Sequence, residues 1–224
     1  MKDRFSNFYV TSDLHFWHKN IIKYCNRPYS FDDAGVEQMN KDILKKFDEL
    51  PAGSTIINNG DICLNSKVSF GQLKSFVDCM KTNDKKLWLI MGNHDREIKR
   101  FIKGQNYETS YELLVALGFD KVFEYPILID NKLFSHEPVY LKPGSNLKNY
   151  YGHTHDMNID KDYFNRDCEN WAMMERVAKE GITEQKNLNI DTSVKKYGKL
   201  IDVDNYRNVC WDANNYSFIP FKDL

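Results

Sequence analysis

Metal-binding side chains occur in this sequence in short clusters. All six histidines lie within or beside groups that contain aspartate, asparagine or glycine. In chain order the clusters are Asp13-Leu14-His15, Gly60-Asp61, Gly92-Asn93-His94-Asp95, His136 and Gly152-His153-Thr154-His155, with His18 close to the first. Imidazole and carboxylate groups are the usual ligands of transition-metal ions in hydrolases, and a set of this size can hold two ions. The pattern therefore predicts a metal site with hydrolytic chemistry.

The spacing within two of the clusters favours a shared site. Asp13 and His15 are two positions apart, as are His153 and His155, and such positions point the same way in an extended segment. A site for two cations roughly 3.5 to 4 Å apart also needs a bridging ligand, and a carboxylate has two oxygens for that purpose. Asp61 is the best candidate for the bridge.

The ligand types indicate which metals the site would take. Asn93 can offer a neutral carbonyl oxygen, which holds a metal without adding charge that repels an anionic phosphate. Cys63 follows Asp61 by two positions but has no thiolate partner, so we interpret it as an inert packed cysteine. Nitrogen and oxygen ligands favour two divalent transition-metal ions, with Mn as the first choice and Fe, Ni, Co or Zn as alternatives.

Bulk properties favour one packed domain over residues 1–224. The chain has 224 residues, 42% hydrophobic content and a formal net charge of -1, so no broad positive field draws it to a nucleic-acid backbone. Five widely spaced cysteines predict neither a disulfide framework nor a thiolate zinc site. The polar N-terminal segment and the lack of an apolar run of roughly 18 residues predict a cytoplasmic protein without a membrane span.

The first half alternates predicted strands with predicted helices. Short β-prone runs at Phe8 to Thr11, Ser54 to Asn58 and Lys86 to Met91 each lead directly into one of the polar clusters. Apolar residues at helical spacing predict helices over Asp33 to Leu50 and Ser66 to Lys81. This alternation is typical of an α/β sheet whose site lies beyond the carboxyl ends of its strands.

The second half is predicted to be richer in β-strand. Predicted elements are a helix over Thr109 to Leu117 and strands over Val122 to Tyr125, Ile127 to Ile129, Lys132 to Ser135, Arg207 to Trp211 and Tyr216 to Ile219. His136 and the His153-x-His155 pair would lie on loops between strands, and residues 212–215 would form a turn. Residues 157–205 are polar and irregular, which indicates an insertion, apart from a predicted helix over residues 165–179.

The ordered series D-x-H, G-D, G-N-H-D, H and G-H-x-H, over residues 13–155, resembles that of the calcineurin-like metallophosphoesterase superfamily. The resemblance implies an α/β fold of two facing mixed β-sheets flanked by helices, a four-layer sandwich with two metal ions at the strand ends. Small stand-alone members from bacteria and tailed phages often show a similar D-x-H-F-x-H stretch followed by R-P and an aromatic residue, as Arg27-Pro28-Tyr29 does here.

Residue roles follow from the resemblance position by position. The first metal would be held by Asp13, His15 and His155, and the second by Asn93, His136 and His153, with Asp61 bridging the two. His94 would face the scissile phosphate without binding metal, and Asp95 would orient His94. The implied mechanism is direct attack by a metal-bound hydroxide, with His94 stabilising the transition state or protonating the leaving alkoxide.

Several assignments have alternatives. His136 is interpreted as a ligand, although a buried structural histidine would show the same pattern. His18 is a contact to a metal ligand or to substrate, or the start of a helix. The Arg27 guanidinium contacts a substrate phosphate, or Arg27 is a surface residue in a turn. The helix around Trp171 covers the core, or else forms a lid or a contact in a homodimer.

Three functions remain open at this point. The first is a phosphodiesterase or phosphomonoesterase that acts on a small phosphorylated molecule, such as a nucleotide or cyclic nucleotide. The second is a metal-dependent nuclease, which the near-neutral charge disfavours. The third is a non-catalytic scaffold of the same fold. Ser/Thr phosphatase activity is disfavoured because the sequence after Gly60-Asp61 and the G-N-H-D cluster depart from that branch.

Overall fold

Two β-sheets form the centre of the fold. The structure, a computed structural model, describes residues 4–63, 68–102, 104–142, 144–166 and 201–224. In these ranges the strands are β1 Phe8–Thr11, β2 Thr55–Asn58, β3 Lys86–Ile90, β4 Lys121–Phe123, β5 Ile127–Ile129, β6 Lys132–Ser135, β7 Lys148–Tyr151, β8 Tyr206–Asn208 and β9 Ile219–Pro220. The first sheet has the order β4-β3-β2-β1-β9 and the second the order β5-β6-β7-β8.

Both sheets are mixed, and each has a parallel core. Strands β1 to β4 run parallel, with β9 antiparallel beside β1, while β6, β7 and β8 run parallel with β5 antiparallel beside β6. Parallel strands end at the same edge of a sheet. The loops that follow β1, β2 and β3 therefore emerge together, as do the loops that follow β6 and β7.

The two sheets face each other across an apolar layer. Successive side chains of a strand point to opposite faces, so Ile57 packs between the sheets while its neighbour Ile56 packs toward the helices. From the second sheet, Phe134 and Tyr150 enter the same layer and stack with ring centroids 5.3 Å apart. This layer fixes the two sheet edges relative to each other.

Helices cover the outer face of the first sheet. The described helices are α1 Lys19–Tyr24, α2 Asp33–Asp48, α3 Phe70–Thr82, α4 Asn93–Glu97, α5 Ser110–Leu117 and α6 Tyr163–Arg166. Asp32 caps α2 by accepting from the Gly35 amide, and Ser69 caps α3 in a capping box with Gln72. Apolar residues of α2, α3 and α5 pack on Ile56 and Leu89 in one cluster.

The second sheet is covered differently on its outer face. Val139, Leu141 and Leu147 pack on Leu133, and Phe164 of α6 lies in a cluster with Tyr151. Among the described residues, this layer consists mainly of loop segments with one short helix. The predicted fold of two facing mixed sheets with helices is confirmed.

Most predicted elements match the structure within a few residues, but the C-terminal segment differs. The predicted strands at 207–211 and 216–219 shorten to β8 and β9, and the predicted turn at 212–215 contains a 3-10 helix over Asp212–Asn214. The reason is that this segment leaves the sheet to contact the loop after β1, where the Trp211 amide donates to the Ser12 carbonyl at 2.9 Å. Strand β7 and helix α4 were not predicted.

Part of the predicted insertion lies outside the described residues. Residues 167–200 belong to this part, which contains most of the helix predicted over residues 165–179 and the whole region around Trp171. In the portions of the chain that the structure describes, no helix has both the length and the apolar character needed to cross a membrane.

Two glycines in the first turns of α2 and α3 differ in the space around them, so substitutions there test how tightly each helix start is packed. A Cβ on Gly35 of α2 would lie 1.9 Å from the Ser30 carbonyl oxygen, whereas a Cβ on Gly71 of α3 would meet nothing within 4 Å. We expect Gly35→Ala to lower the free energy of unfolding by about 1–3 kcal/mol through overpacking. The matched Gly71→Ala should raise it by up to about 1 kcal/mol, because alanine favours helix. Urea denaturation of both variants checks this, and equal effects would contradict it.

Candidate metal centre

The predicted metal ligands converge from five loops. They come from the ends of β1, β2, β6 and β7 and from the start of α4, and they are Asp13, His15, Asp61, Asn93, His136, His153 and His155. The ligand atoms of Asp13, His15 and His155 lie within 4.8 Å of one another, and so do those of Asp13, Asp61 and His136. Asp13 is shared by these two groups.

The first group contains buried polar atoms that fit a cation. His15 Nε2 lies 3.8 Å from Asp13 Oδ1 and 3.8 Å from Asp61 Oδ2, beyond hydrogen-bond distance. Among the described residues, His15 Nε2 and Asp13 Oδ1 are buried and have no hydrogen-bond partner. An unpaired buried nitrogen that faces an unpaired carboxylate oxygen is costly unless a further group lies between them, and a divalent cation would satisfy both. The residues present therefore fit a metal ion.

The second group surrounds His136. Its Nδ1 lies 2.8 Å from the Asn59 carbonyl oxygen, which can only accept, so Nδ1 carries the proton. In the neutral ring, Nε2 then holds the lone pair. This atom lies 2.9 Å from Asn93 Oδ1, 3.5 Å from Asp61 Oδ2 and 3.2 Å from His153 Nδ1. These neighbours of Nε2 suit a metal ligand better than a histidine with a purely structural role.

Asp61 lies between the two groups. Its Oδ1 accepts from the His94 amide at 2.9 Å, while Oδ2 faces both His15 and His136. Burial, together with the nearby charges of Asp13 and Asp95, raises the pKa of Asp61 to about 8. Although burial alone would raise the pKa of Asp13 as well, the surrounding histidines bring it well below its usual value. The raised pKa of Asp61 reflects burial and repulsion between close carboxylates, and a cation between them would relieve that repulsion.

The loops hold their ligands in strained backbone. Five ligands have positive φ, namely Asp13 at 59°, His15 at 52°, Asp61 at 54°, His153 at 70° and His155 at 53°. Few non-glycine residues adopt this region, and such residues concentrate at functional sites. Our expectation that extended backbone aims the Asp13–His15 and His153–His155 pairs is therefore wrong, because each pair lies in a turn beyond its strand.

Two glycines allow these turns to approach one another. A Cβ on Gly92 would lie 2.2 Å from Asp61 Oδ1, and one on Gly152 would lie 2.0 Å from Ser12 Oγ and 2.6 Å from Asp13 Oδ2. No L side chain fits at either place without displacing a ligand loop. Glycine is therefore needed in the G-N-H-D and G-H-x-H clusters because the neighbouring ligand loop leaves no room for a Cβ.

Asp95 joins two ligand loops. Its Oδ2 accepts from the Asp61 amide at 2.7 Å and from the Gly92 amide at 2.9 Å, and its Oδ1 accepts from the Ile62 amide at 3.3 Å. The resemblance assigns Asp95 to the orientation of His94, which stays a prediction, and these contacts give it a further task, the positioning of Asp61. His94 Nε2 lies 3.9 Å from Asp61 Oδ2, with 29% of the side chain exposed.

The two predicted substrate-contact residues lie in different surroundings. His18 is buried, and its Nδ1 lies 3.3 Å from His15 Nδ1, while burial lowers its pKa to about 4 and keeps the ring neutral. Its ring centroid is 6.3 Å from that of His94, so His18 lies beside the centre. His18 also occupies the N-cap position of α1, without a side-chain cap hydrogen bond, so it does lie at the start of a helix, and its contact with substrate stays a prediction.

Arg27 is buried, which rules out the surface alternative. Its Nη1 donates to the Leu14 carbonyl and its Nη2 to the Asp13 carbonyl, each at 2.9 Å, and its Nε and Nη2 donate to Asp212 at 2.7 and 3.0 Å. The expectation of a phosphate contact is not supported by this geometry, because the guanidinium is engaged by protein groups on every nitrogen.

Two residues near the ligands were missed by the sequence reasoning. Asp212 Oδ2 lies 3.0 Å from His155 Nδ1, and Cys210 Sγ lies 3.2 Å from Asp13 Oδ2. Both lie on the C-terminal segment, where the sequence predicted only a strand and a turn. The one available signal was an aspartate in a segment rich in asparagine, which is also typical of ordinary turns.

Comparison with known proteins shows the family. Residues 6–208 match the family of calcineurin-like phosphoesterases, and the chain belongs to it. The chain is also 35% identical over 94 residues to the uncharacterized protein MJ1445 of Methanocaldococcus jannaschii, a match that covers 42% of this chain and 49% of that relative. The chain thus spans about half the length of the curated relative that it matches.

Binding of metal ions should raise the thermal stability of the protein. Mn²⁺ at about 100 times its dissociation constant should raise the free energy of unfolding by roughly 2.7 kcal/mol for each ion, or roughly 5–10 °C in melting temperature. Asp61→Asn keeps the acceptor for the His94 amide but removes the anionic oxygen, so this variant should lose most of the rise. Thermal unfolding with and without Mn²⁺ is the measurement.

The control for this experiment is Asp120→Asn. Asp120 accepts from the Leu87 amide near the start of β3, whereas the ligand loop follows the end of that strand, and Asp120→Asn makes the same carboxylate-to-amide change. It should respond to Mn²⁺ as the unaltered protein does. If Mn²⁺ raised the melting temperature of Asp61→Asn as much as that of the unaltered protein, Asp61 would not be a bridging ligand.

Proposed function

We propose that this chain is a metal-dependent phosphoesterase with a dinuclear centre, and that it hydrolyses a phosphodiester or phosphomonoester bond of a small, nucleotide-like substrate. The observation that carries the proposal is the position of Asp61 Oδ2. This buried oxygen lies between His15 Nε2 at 3.8 Å and His136 Nε2 at 3.5 Å, one from each group of ligands. Such a position suits a carboxylate that bridges two ions.

The bound ions would supply an acidified water and would offset negative charge on the phosphoryl oxygens. The chain's own residues set where this happens. Asp13 and Asp61 provide the anionic oxygens, and the histidines provide neutral nitrogens, so the net charge of the centre stays low enough to admit an anionic phosphate. Mn²⁺ is our first choice for the ion, because Asn93 and the carboxylates add oxygen ligands to the imidazoles.

His94 is the catalytic residue of the proposal. It begins α4 together with Asn93, and its backbone amide is fixed by Asp61 Oδ1. Burial lowers the pKa of His94, which favours a neutral ring that donates one hydrogen bond to a phosphoryl or leaving oxygen. Its partly exposed side chain lies at the margin of the ligand cluster, where a substrate can reach it.

The charge of the surface around the end of α4 gives no support for a polynucleotide track. A cleft of about 350 Å³ follows α4 and is lined by basic residues Arg96, Lys99 and Arg100 but also by Glu108 and Glu124. A nucleic-acid track needs a run of unopposed basic groups, and this lining is mixed in charge. We therefore rank a nuclease second. Separately, we expect the enzyme to act in the cytoplasm as a monomer or homodimer.

A catalytic role for His94 separates the enzyme from a scaffold of the same fold. We expect His94→Ala to lower kcat by about 10²- to 10⁴-fold, because a positioned proton donor contributes that much, while two metal ions stay bound. Hydrolysis of a generic aryl phosphodiester in Mn²⁺, together with the metal content of each protein, is the measurement. Asp120→Asn, beside the start of β3, should keep full activity.

The same assay decides among substrates. Phosphomonoesters, cyclic and linear nucleotides and oligonucleotides are to be compared at equal concentration with Mn²⁺. We expect the highest kcat/KM on a small nucleotide or nucleotide-like ester. Higher kcat/KM on oligonucleotides would favour the nuclease, and an unaltered protein that binds metal but hydrolyses none of them would favour the scaffold.

A further inference from the structure

We propose that Asp212, held in place by Arg27, is a positioning residue that fixes the orientation and the tautomer of His155 at the first metal. Asp212 lies beyond residues 6–208, the range matched by the family. The inference rests on the proposed two-metal centre and adds to it a pair of residues that act through a ligand.

The contact between Asp212 and His155 sets the tautomer. Asp212 Oδ2 lies 3.0 Å from His155 Nδ1, and the same carboxylate accepts two hydrogen bonds from Arg27. An ionised carboxylate only accepts, so Nδ1 of His155 must carry the proton. The lone pair of a neutral ring is then on Nε2, which becomes the atom available to a metal. Carboxylates that bind the second nitrogen of a ligating histidine orient it in this way.

Arg27 links Asp212 to the other ligands of the same ion. Its guanidinium holds Asp212 from one side and the carbonyl oxygens of Asp13 and Leu14 from the other. The Arg27 guanidinium therefore connects the loop that carries Asp13 and His15 with the residue that orients His155. Arg27 thus contacts the loop of Asp13 and His15 directly and His155 through Asp212, whereas its described hydrogen bonds do not reach Asn93, His136 or His153.

A third metal site is the competing interpretation of the same residues. Cys25, His155 and Asp212 offer ligand atoms within 4.8 Å of one another. However, Asp212 faces the positive charge of Arg27 at 2.7 Å, with both oxygens engaged, and the Arg27 side chain is fully buried. A second cation at Asp212 would meet that charge at close range. The arrangement is therefore that of an orienting carboxylate rather than of a metal ligand.

If Asp212 and Arg27 position His155, loss of Asp212 should weaken the binding of one metal ion and not of the other. Asp212→Asn removes the ionised acceptor, so one of the two ions should bind about 10- to 100-fold more weakly, which is the usual effect of losing such a partner. The other ion, whose predicted ligands Asn93, His136 and His153 make no described hydrogen bond to Arg27 or Asp212, should keep its affinity. Calorimetric titration of the metal-free protein with Mn²⁺ measures both affinities without any use of activity. Asp120→Asn, which makes the same chemical change elsewhere, should bind both ions normally.

A second measurement uses the unaltered protein, since a variant of a buried ion pair can fail to fold. With ¹⁵N-labelled histidine and bound ¹¹³Cd²⁺, NMR should show metal coupling to Nε2 of His155 and a proton on its Nδ1. Coupling to Nδ1 would overturn the inference, and so would normal affinity for both ions in folded Asp212→Asn. If the unaltered protein binds neither Mn²⁺ nor Cd²⁺, the proposed function fails and the inference falls with it.

Discussion

The close approach of two buried carboxylates governs this structure. Asp13 and Asp61 belong to one group of ligand atoms within 4.8 Å, and both lie out of contact with solvent. Two such charges cannot both stay ionised in a low-dielectric interior unless positive charge lies between or beside them. Histidines supply part of that charge, and the unpaired atoms His15 Nε2 and Asp13 Oδ1 indicate that more is needed. A cation bound between these side chains would therefore stabilise the arrangement electrostatically.

The rest of the fold resists the strain that the centre imposes. Each non-glycine residue in the left-handed region costs about 1–3 kcal/mol, and several ligands are in that region. The parallel strands that precede them are anchored by the apolar layer between the sheets, around Ile57 and Phe134. Asp95 then fixes the loop after β2 to the loop after β3 through backbone amides. Rigid strands and bound amides together keep the ligands in place before any ion arrives.

Local sequence signals predicted much of this arrangement. Amphipathic spacing located α2 and α3, apolar runs located β1 to β3, and the clusters after those runs located the ligand loops. Contacts between distant segments could not be predicted, because no local pattern encodes them. Asp212 meets Arg27 across 185 positions, and Asp95 binds amides more than 30 positions away. The positive φ of Asp13 and His15 was missed for the same reason, since those turns are imposed by neighbouring loops.

The path of the C-terminal segment has a consequence for biosynthesis. Strand β9 inserts beside β1, and the Trp211 amide binds the Ser12 carbonyl, so late residues complete the surroundings of early ones. On a translating ribosome, the loop after β1 is made long before Trp211 leaves the exit tunnel. The contacts that Trp211 and β9 make with the loop and strand before Asp13 and His15 can therefore form only after residues 211–220 have emerged.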